Sequence, residues 1–317
     1  MPDTVPSPTA VPSQSPRPVP SQSPPPVPPS GSTISSSDAP VSSTGVTVKP
    51  LATLIGAELT GIDIAQPLDS ETVAVIQRAL NTWKVVFFRD QELDHAPQIA
   101  FGRQFGDLTY AHPHGDTPSE DVPESYGGDT TFTNLVAAYQ GLSDPVRAFV
   151  DTLWAEHRYG ANWSGQRQPG AGYGQRFEQN SLVTNHPVVR VDPVTGERAL
   201  FVNPNFVDHI VDVSPVDSRW ILEHLFAELT RPEYTVRFHW EPGSVAFWDN
   251  RTTAHLGLQD VGQLDVGHVD VGHLEVERVL HRITVIGDVP VGPDGRESEL
   301  AEGAPFVSTP VYAASTR

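Results

Sequence analysis

The sequence predicts a fold that is mainly β with flanking helices. Short runs rich in valine, isoleucine and aromatic residues recur through the C-terminal half, and each run is bounded by turn residues. These runs do not alternate regularly with helices, as the strands of a doubly wound sheet would. Apolar residues at helical spacing mark a smaller number of helices. The pattern is typical of a sandwich or a closed jelly roll.

The composition excludes several classes of protein. Lysine and arginine total 20 against 39 aspartate and glutamate residues, the formal net charge is -19, and there is no cysteine. Disulfide scaffolds, thiol nucleophiles and cysteine-ligated metal sites are therefore excluded. The negative field argues against a nucleic acid or an anionic membrane as a partner. Because no apolar run reaches the roughly 18 residues of a spanning helix and no secretory signal is recognisable, we expect a cytoplasmic protein.

Residues 1–45 differ in composition from the rest of the chain. They hold 13 of the 31 prolines and 12 serines, but no phenylalanine, tryptophan, tyrosine or leucine. Such a segment cannot bury a core, so we predict a disordered, extended tail. The tail is either inert or a ligand for proline-binding modules. Residues 46–317 then form one large domain.

The domain begins with two predicted strands, a helix and a third strand. The first two strands cover residues 47–51 and 55–62, and the helix starts at a cap, Asp69 or Ser70. The third strand, residues 85–88, is continuously apolar, which predicts burial on both faces. Two more helices are predicted at 95–105 and at 135–158, the second with a break near Pro145.

The C-terminal half reads mostly as strands and turns. The spacing of turn residues places a turn at 192–196 and a helix at 218–229. The predicted strands are 186–191, 199–202, 235–240, 244–248 and 279–286.

Residues 260–274 form three tandem pentapeptides that begin with Asp-Val-Gly. This period is too short for a solenoid, so we predict a surface loop lengthened by duplication. His268 and His273 in this loop are weak candidates for metal ligands, because a loop does not hold ligands in a fixed geometry.

The densest group of chemically useful residues follows the predicted strand 244–248. A turn leads to His255, and the last predicted strand carries Arg278, His281 and Arg282. Side chains alternate along a strand, so both arginines should share one face and His281 should lie on the other. Two guanidinium groups on one face would suit two carboxylate or sulfo anions, or one dianion. The alternative is a pair of structural salt bridges.

These residues, with others in the same order along the chain, resemble the TauD/TfdA family of Fe(II)- and 2-oxoglutarate-dependent dioxygenases. The resemblance covers about residues 46–306 and implies a double-stranded β-helix, the cupin-like jelly roll. The segments that carry it are Ile-Gly-Ala-Glu-Leu-Thr-Gly-Ile-Asp (55–63), Val-Phe-Phe-Arg-Asp-Gln (86–91), Phe-Gly-Arg-Gln-Phe-Gly (101–106), Gly-Gly-Asp-Thr (127–130), Phe-Trp-Asp-Asn-Arg (247–251), His255 and Arg-Val-Leu-His-Arg (278–282).

The resemblance implies roles for particular side chains. His255 matches the distal iron ligand of the family, and Arg278 matches the arginine that binds the far carboxylate of 2-oxoglutarate. Thr130 matches the hydroxyl partner of that arginine. Arg282 matches the arginine that holds the sulfo group of the substrate in sulfonate-oxidising members, and His112 resembles a further substrate contact.

The other two iron ligands have no clear counterpart in this chain. The family places a His-x-Asp pair on a strand before the Gly-Gly-Asp-Thr segment, but here Glu124 leads almost directly into Gly127, and that strand is absent from the sequence. The string His114-Gly115-Asp116 lies in a stretch rich in proline and glycine, which predicts a turn. His114 and Asp116 are therefore doubtful ligands, and the iron site is expected to be incomplete.

Two functions follow from the resemblance. The first is an oxygenase that uses Fe(II) and 2-oxoglutarate to hydroxylate the carbon next to a sulfonate or sulfate ester, such as taurine, an alkanesulfonate or an alkyl sulfate. The second is an impaired or inactive relative that binds 2-oxoglutarate or sulfonate anions without iron chemistry. A third interpretation, a structural protein organised by the proline-rich tail, depends on the tail alone. Either family function implies a small anionic substrate and association into a homo-oligomer.

Overall fold

A computed structural model of the chain describes residues 45–109, 128–158, 183–258 and 281–303. Almost all of the predicted tail and the whole pentapeptide repeat lie outside these ranges, so both stay predictions. None of the helices in the described ranges is long and apolar enough to cross a membrane.

The described residues form short strands and five α-helices. The helices are α1 (Ser70–Trp83), α2 (His95–Arg103), α3 (Leu135–Gly141), α4 (Asp144–Val150) and α5 (Pro215–Leu229). The strands are β1 (Thr47–Pro50), β2 (Ala57–Thr60), β3 (Val85–Phe88), β4 (Leu108–Thr109), β5 (Thr130–Asn134), β6 (Trp154–Arg158), β7 (Val183–Pro187), β8 (Val189–Val191), β9 (Arg198–Leu200), β10 (Val207–Ile210), β11 (Thr235–Phe238), β12 (Val245–Trp248), β13 (Thr253–Gly257), β14 (Thr284–Val285) and β15 (Glu299–Glu302).

The strands assemble into several small sheets. In the described ranges the orders are β1-β2-β3-β12, β10-β6-β7-β15 and β11-β5-β13, with two-stranded pairs β14-β4 and β8-β9. All pairs are antiparallel except β2 with β3. This sheet-rich arrangement with few helices confirms the prediction of a mainly β fold.

Strand β3 lies between β2 and β12, and all of its side chains are buried, as its continuous apolar run predicts. Phe87 of this strand stacks on Phe238 with ring centroids 4.0 Å apart and meets the edge of Phe132 at 5.6 Å. Aromatic pairs in these geometries add about 0.5–1.5 kcal/mol each beyond the area they bury. The cluster therefore joins β3 to the sheet of β11, β5 and β13.

Helix α1 is capped at its N-terminus by Asp69, one of the two predicted caps, and at its C-terminus by a residue with a positive φ. Lys84 caps its C-terminus with φ 66°, a conformation that favours glycine. The Lys84 ammonium is buried and pairs with Glu197 at 2.6 Å. The Lys84 carbonyl accepts hydrogen bonds from the backbone of Asp249 and the hydroxyl of Thr253. Lys84 thereby fixes the start of β13.

The predicted helix 135–158 is correct in its first part and wrong in its last. The break near Pro145 is confirmed, because α3 ends at Gly141 and α4 begins at Asp144. Residues Trp154–Arg158 form β6 instead of helix, because they pair with β7 on one side and β10 on the other. Sheet pairing with distant segments overrides the local helical pattern here.

Helix α3 packs closely against a tyrosine. A β-carbon added to Gly141 would lie 1.8 Å from the Tyr234 hydroxyl oxygen, far inside van der Waals contact. Glycine at this position therefore allows the tyrosine ring to cover the end of the helix.

Strands β6 and β7 carry two histidines on the face that also bears the buried Ala155. The rings of His157 and His186 lie 4.7 Å apart, and both contact Phe201. Burial lowers the pKa of His157 to about 3 and that of His186 to about 4. Both imidazoles are therefore neutral near pH 7.

Candidate functional site

The candidate site is built on β5, the middle strand of the sheet β11-β5-β13. The register pairs Phe132 of β5 with His255 of β13. Directly opposed residues of antiparallel strands point to the same face, and so do residues two apart on one strand. Thr130, Phe132 and His255 therefore share one face of the sheet. This arrangement was not predicted, because no strand was predicted at β5 or β13.

Thr130, the first residue of β5, is buried and its hydroxyl has one fixed partner. Its Oγ1 accepts a hydrogen bond from the indole Nε1 of Trp240 at 2.9 Å. A hydroxyl that accepts one hydrogen bond still has its own proton to donate. Thr130 can therefore donate to an oxygen of an anion on this face.

The ring of His255 lies at an accessible position against two aromatic residues. Its centroid is 4.9 Å from that of Trp248 and 6.1 Å from that of Phe132. The Trp248 indole is held in turn by Asn250, whose Oδ1 accepts its N–H at 2.7 Å. Part of the ring remains open to solvent. Packing thus fixes the orientation of His255 and leaves an edge free for a ligand.

The surroundings of His255 favour its neutral form. Desolvation by the surrounding protein lowers the pKa of His255, and the positive charge of Arg282 lowers it further. A neutral imidazole has a nitrogen lone pair that can bind a metal or accept a proton. Arg282 therefore contributes to the electrostatic environment of His255.

Arg282 is exposed and makes no ion pair with any residue of the described ranges. The neighbouring His281 packs on His95, with ring centroids 4.6 Å apart. Within the described residues, Thr284–Val285 is the part of the predicted strand 279–286 that forms a strand, so the predicted opposite orientation of His281 and Arg282 stays a prediction. As far as the described residues go, Arg282 is available to an external anion.

Sequence reasoning missed a carboxylate next to Thr130. Asp129 is buried, with its Oδ2 2.5 Å from Arg237 Nε and its Oδ1 2.8 Å from His239 Nδ1. Burial alone would raise the pKa of Asp129, but the hydrogen bonds from Arg237 and His239 outweigh it and lower the pKa. The only signal in the sequence was its place between the glycine pair and Thr130. Its contacts tie the start of β5 to the end of β11.

Four predicted site residues lie outside the described residues. They are His112, His114, Asp116 and Arg278. Their proposed roles stay predictions, and the described part of the site consists of Thr130, His255 and Arg282.

The described residues do not by themselves make an iron site. Within the described ranges, the group of three potential ligands whose atoms lie together is Glu156, Asp208 and His209, and it does not include His255. Glu156 in that group already pairs with Arg158. A facial triad needs two more ligands beside His255, and the candidates for them fall outside these ranges.

Comparison with known proteins identifies the class of protein that has this fold and this candidate site. The chain matches the family described as taurine catabolism dioxygenase TauD, TfdA family, over residues 47–126 and 119–261. A crystal structure of a taurine dioxygenase from Burkholderia xenovorans superimposes with a TM-score of 0.68 at 43% identity, covering 82% of this chain and 96% of the other. The fold is therefore the cupin-like jelly roll of these dioxygenases, as predicted.

The chain belongs to the TauD/TfdA family. It is 35% identical over 292 residues to an alpha-ketoglutarate-dependent sulfate ester dioxygenase of Pseudomonas putida, covering 79% of this chain and 93% of the relative. It is 32% identical to an alkylsulfatase of Acinetobacter baylyi, covering 78% of this chain and 87% of the relative. These relatives act on small sulfate esters, and the family implies Fe(II) and 2-oxoglutarate.

Proposed function

We propose that this chain is a 2-oxoglutarate-dependent oxygenase that acts on the carbon next to a sulfonate or sulfate ester. The observation that carries the proposal is that Thr130 and His255 share one face of the sheet in a member of this family, with Arg282 exposed and without an ion pair among the described residues. The sulfate ester and alkyl sulfate relatives support the substrate class.

Each described side chain has a role that its environment allows. The Thr130 hydroxyl, with its acceptor side occupied by Trp240, donates to a carboxylate oxygen of 2-oxoglutarate, and Arg278 binds the same carboxylate. Arg282 binds the sulfo group, with His112 as a second contact. Because Arg282 keeps no carboxylate partner in the described ranges, binding the substrate breaks no ion pair there.

The iron-dependent part of this function requires ligands beyond His255. His114 and Asp116 are the residues that would have to supply them. Of these three residues, His255 is the one that lies in the described ranges.

This shortage of ligands favours a second candidate, an anion-binding protein without iron chemistry. Such a protein would keep the Thr130 and Arg282 contacts and would bind 2-oxoglutarate or a sulfonate in the absence of metal. A lone neutral imidazole beside a guanidinium group holds Fe(II) poorly, because carboxylate charge is missing and the cation is repelled.

An assay of substrate-dependent succinate formation tests the oxygenase. The full chain is incubated with Fe(II), 2-oxoglutarate and taurine, a linear alkanesulfonate or a linear alkyl sulfate. We expect turnover with at least one of them, reduced about tenfold to hundredfold in Arg282→Gln, because a charge-assisted hydrogen bond contributes about 1.5–3 kcal/mol. Arg78→Gln, which changes an exposed arginine on α1, is the control. Absence of turnover with the whole panel would contradict the oxygenase.

Calorimetry separates the two candidates. Binding of 2-oxoglutarate without metal, together with no stoichiometric Fe(II) uptake, would favour the anion-binding protein. Stoichiometric Fe(II) uptake that disappears in Asp116→Ala would exclude it and would assign Asp116 as a ligand.

A further inference from the structure

A chain of ion pairs links the histidine segment, residues 249–257, to the arginine segment, residues 281–288. Arg251 binds Asp249 through two nitrogen atoms, with Nε 2.7 Å from Oδ1 and Nη2 2.8 Å from Oδ2. Its remaining nitrogen, Nη1, donates to Asp288 Oδ1. The side chain also lies over Gly287, where a β-carbon would come within 3.2 Å of Arg251 Cδ. The guanidinium group of Arg251 therefore binds both segments: Nε and Nη2 bind the histidine segment, and Nη1 binds the arginine segment.

The carboxylate at the far end of this chain is held by a second, fully buried arginine. Asp288 also accepts a hydrogen bond from Arg190 Nη2, and the Arg190 side chain is 0% exposed. The next carboxylate, Asp192, is 3.8 Å from Arg190 Nη1, and Nε and Nη1 of Arg190 have no hydrogen-bond partner among the described residues. Asp288 is thus fixed by a guanidinium group that cannot turn to water.

The pair of guanidinium groups keeps Asp288 ionised. Burial alone would raise the pKa of Asp288, but hydrogen bonds from Arg190 and Arg251 outweigh this and lower it. The carboxylate therefore carries a full negative charge between two positive groups.

The opposite side of the arginine segment rests on another part of the molecule. β14 pairs with β4, and the Ile286 amide donates to the Asp107 carbonyl at 2.8 Å. Gln98 of α2 donates to the His281 carbonyl at 3.1 Å. These contacts attach the segment to α2 and β4, whereas Arg251 attaches it to the histidine segment.

We propose that the ion pair of Arg251 with Asp288 positions Arg282 relative to His255. Arg251 lies four residues before His255 and Asp288 lies six residues after Arg282, so the pair joins the two segments that carry these side chains. The side-chain hydrogen bonds of Arg251 within the described ranges go to Asp249 and Asp288, so it acts through the backbone of these two segments. It is a positioning residue, and its functional consequence rests on the proposed function.

Arg251→Gln tests the proposal, because it removes the link and leaves Arg190 paired with Asp288. Arg147→Gln is the matched control, since Arg147 is 31% exposed against 32% for Arg251 and also pairs with a nearby aspartate. In the full chain, we expect amide hydrogen exchange of residues 253–257 and 281–287 to become about tenfold faster in Arg251→Gln and to stay unchanged in the control. Unchanged exchange in both segments would overturn the proposal.

A binding measurement tests the functional part. For a linear alkyl sulfate, we expect Arg251→Gln to raise the Kd about tenfold, and to raise it less than about twofold when Arg282 is already glutamine. Arg251→Lys, which keeps the charge, should restore part of the affinity. Equal effects in the presence and absence of Arg282 would overturn positioning through Arg282. If the unaltered chain binds no anion, the proposed function fails, and hydrogen exchange alone decides the structural link.

Discussion

Asn134 is the residue whose replacement gives the clearest prediction, because one buried side chain satisfies three backbone groups. Its Oδ1 accepts the amides of Val136 and Ala137 at 2.9 and 3.0 Å, which caps α3. Its Nδ2 donates to the Leu54 carbonyl at 2.7 Å. Asn134 is 5% exposed, so water cannot replace these contacts after a substitution to alanine. Asn134 is also the last residue of β5 and pairs with Thr253 of β13.

The expected loss for Asn134→Ala is the sum of two terms. Removing an N-cap side chain costs about 0.5–2 kcal/mol. Losing the hydrogen bond to the buried Leu54 carbonyl adds about 0.5–1.5 kcal/mol, and more if that carbonyl stays unsatisfied. The free energy of unfolding should therefore fall by about 1–3.5 kcal/mol.

Urea denaturation followed by circular dichroism measures this loss. Asn205→Ala is the control, because Asn205 lies exposed in a turn, and it should change stability by less than about 0.5 kcal/mol. A loss as small as the control's in Asn134→Ala would refute the view that Asn134 joins α3 to β5 and the β1–β2 region.

Three further predictions concern stability. Lys84→Met should lower the free energy of unfolding by about 1–2 kcal/mol in urea denaturation. This loss is smaller than the loss from breaking a fully buried ion pair, because Glu197 is partly exposed and can be hydrated once Lys84 is gone. His157 and His186 stay neutral in the folded state, so the unfolded state binds more protons below pH 6.5. As the pH is lowered from about 6.5 to 4, the free energy of unfolding should fall by at most about 1.4 kcal/mol per pH unit for each histidine. Denaturation midpoints over that range should fall less steeply in His157→Phe, and an equal slope would contradict the assignment. Gly141→Ala should lower the melting temperature despite the better helix propensity of alanine, because the added carbon meets the tyrosine that covers it; a higher melting temperature would show that the tyrosine moves freely.

Sequence patterns within a few residues predicted the helices and strands that are determined by those residues alone. The cap at Asp69 and the apolar run of β3 were both recognised, because a side chain that accepts a helix amide and a continuous β-branched run are signals within a few residues. β6 was missed, since its strand state depends on β7 and β10, which lie about 30 and 50 residues later in the chain. β5 carried a readable threonine and phenylalanine alternation that was overlooked.

The candidate site shows the same division. The resemblance to a family predicted Thr130 and His255 as site residues, and the register of β5 and β13 places both on one face of the sheet. The burial of Arg190 and the position of Asp288 were not predicted, because an ion pair between residues 98 positions apart leaves no periodic trace in the sequence. Composition likewise could not show that Asp129 would bind Arg237 and His239 across the β5–β11 pair.

The five-residue length of β5 has a practical consequence for ligand discovery. Thr130 is the first residue of the strand and Asn134 is the last. A compound that binds Thr130 therefore stabilises the same strand that Asn134 joins to α3. A ligand present at 100 times its dissociation constant adds about 2.7 kcal/mol to the folded state. Melting curves recorded with a library of organic sulfates and oxo-acids can therefore rank ligands of the candidate site without any turnover being required.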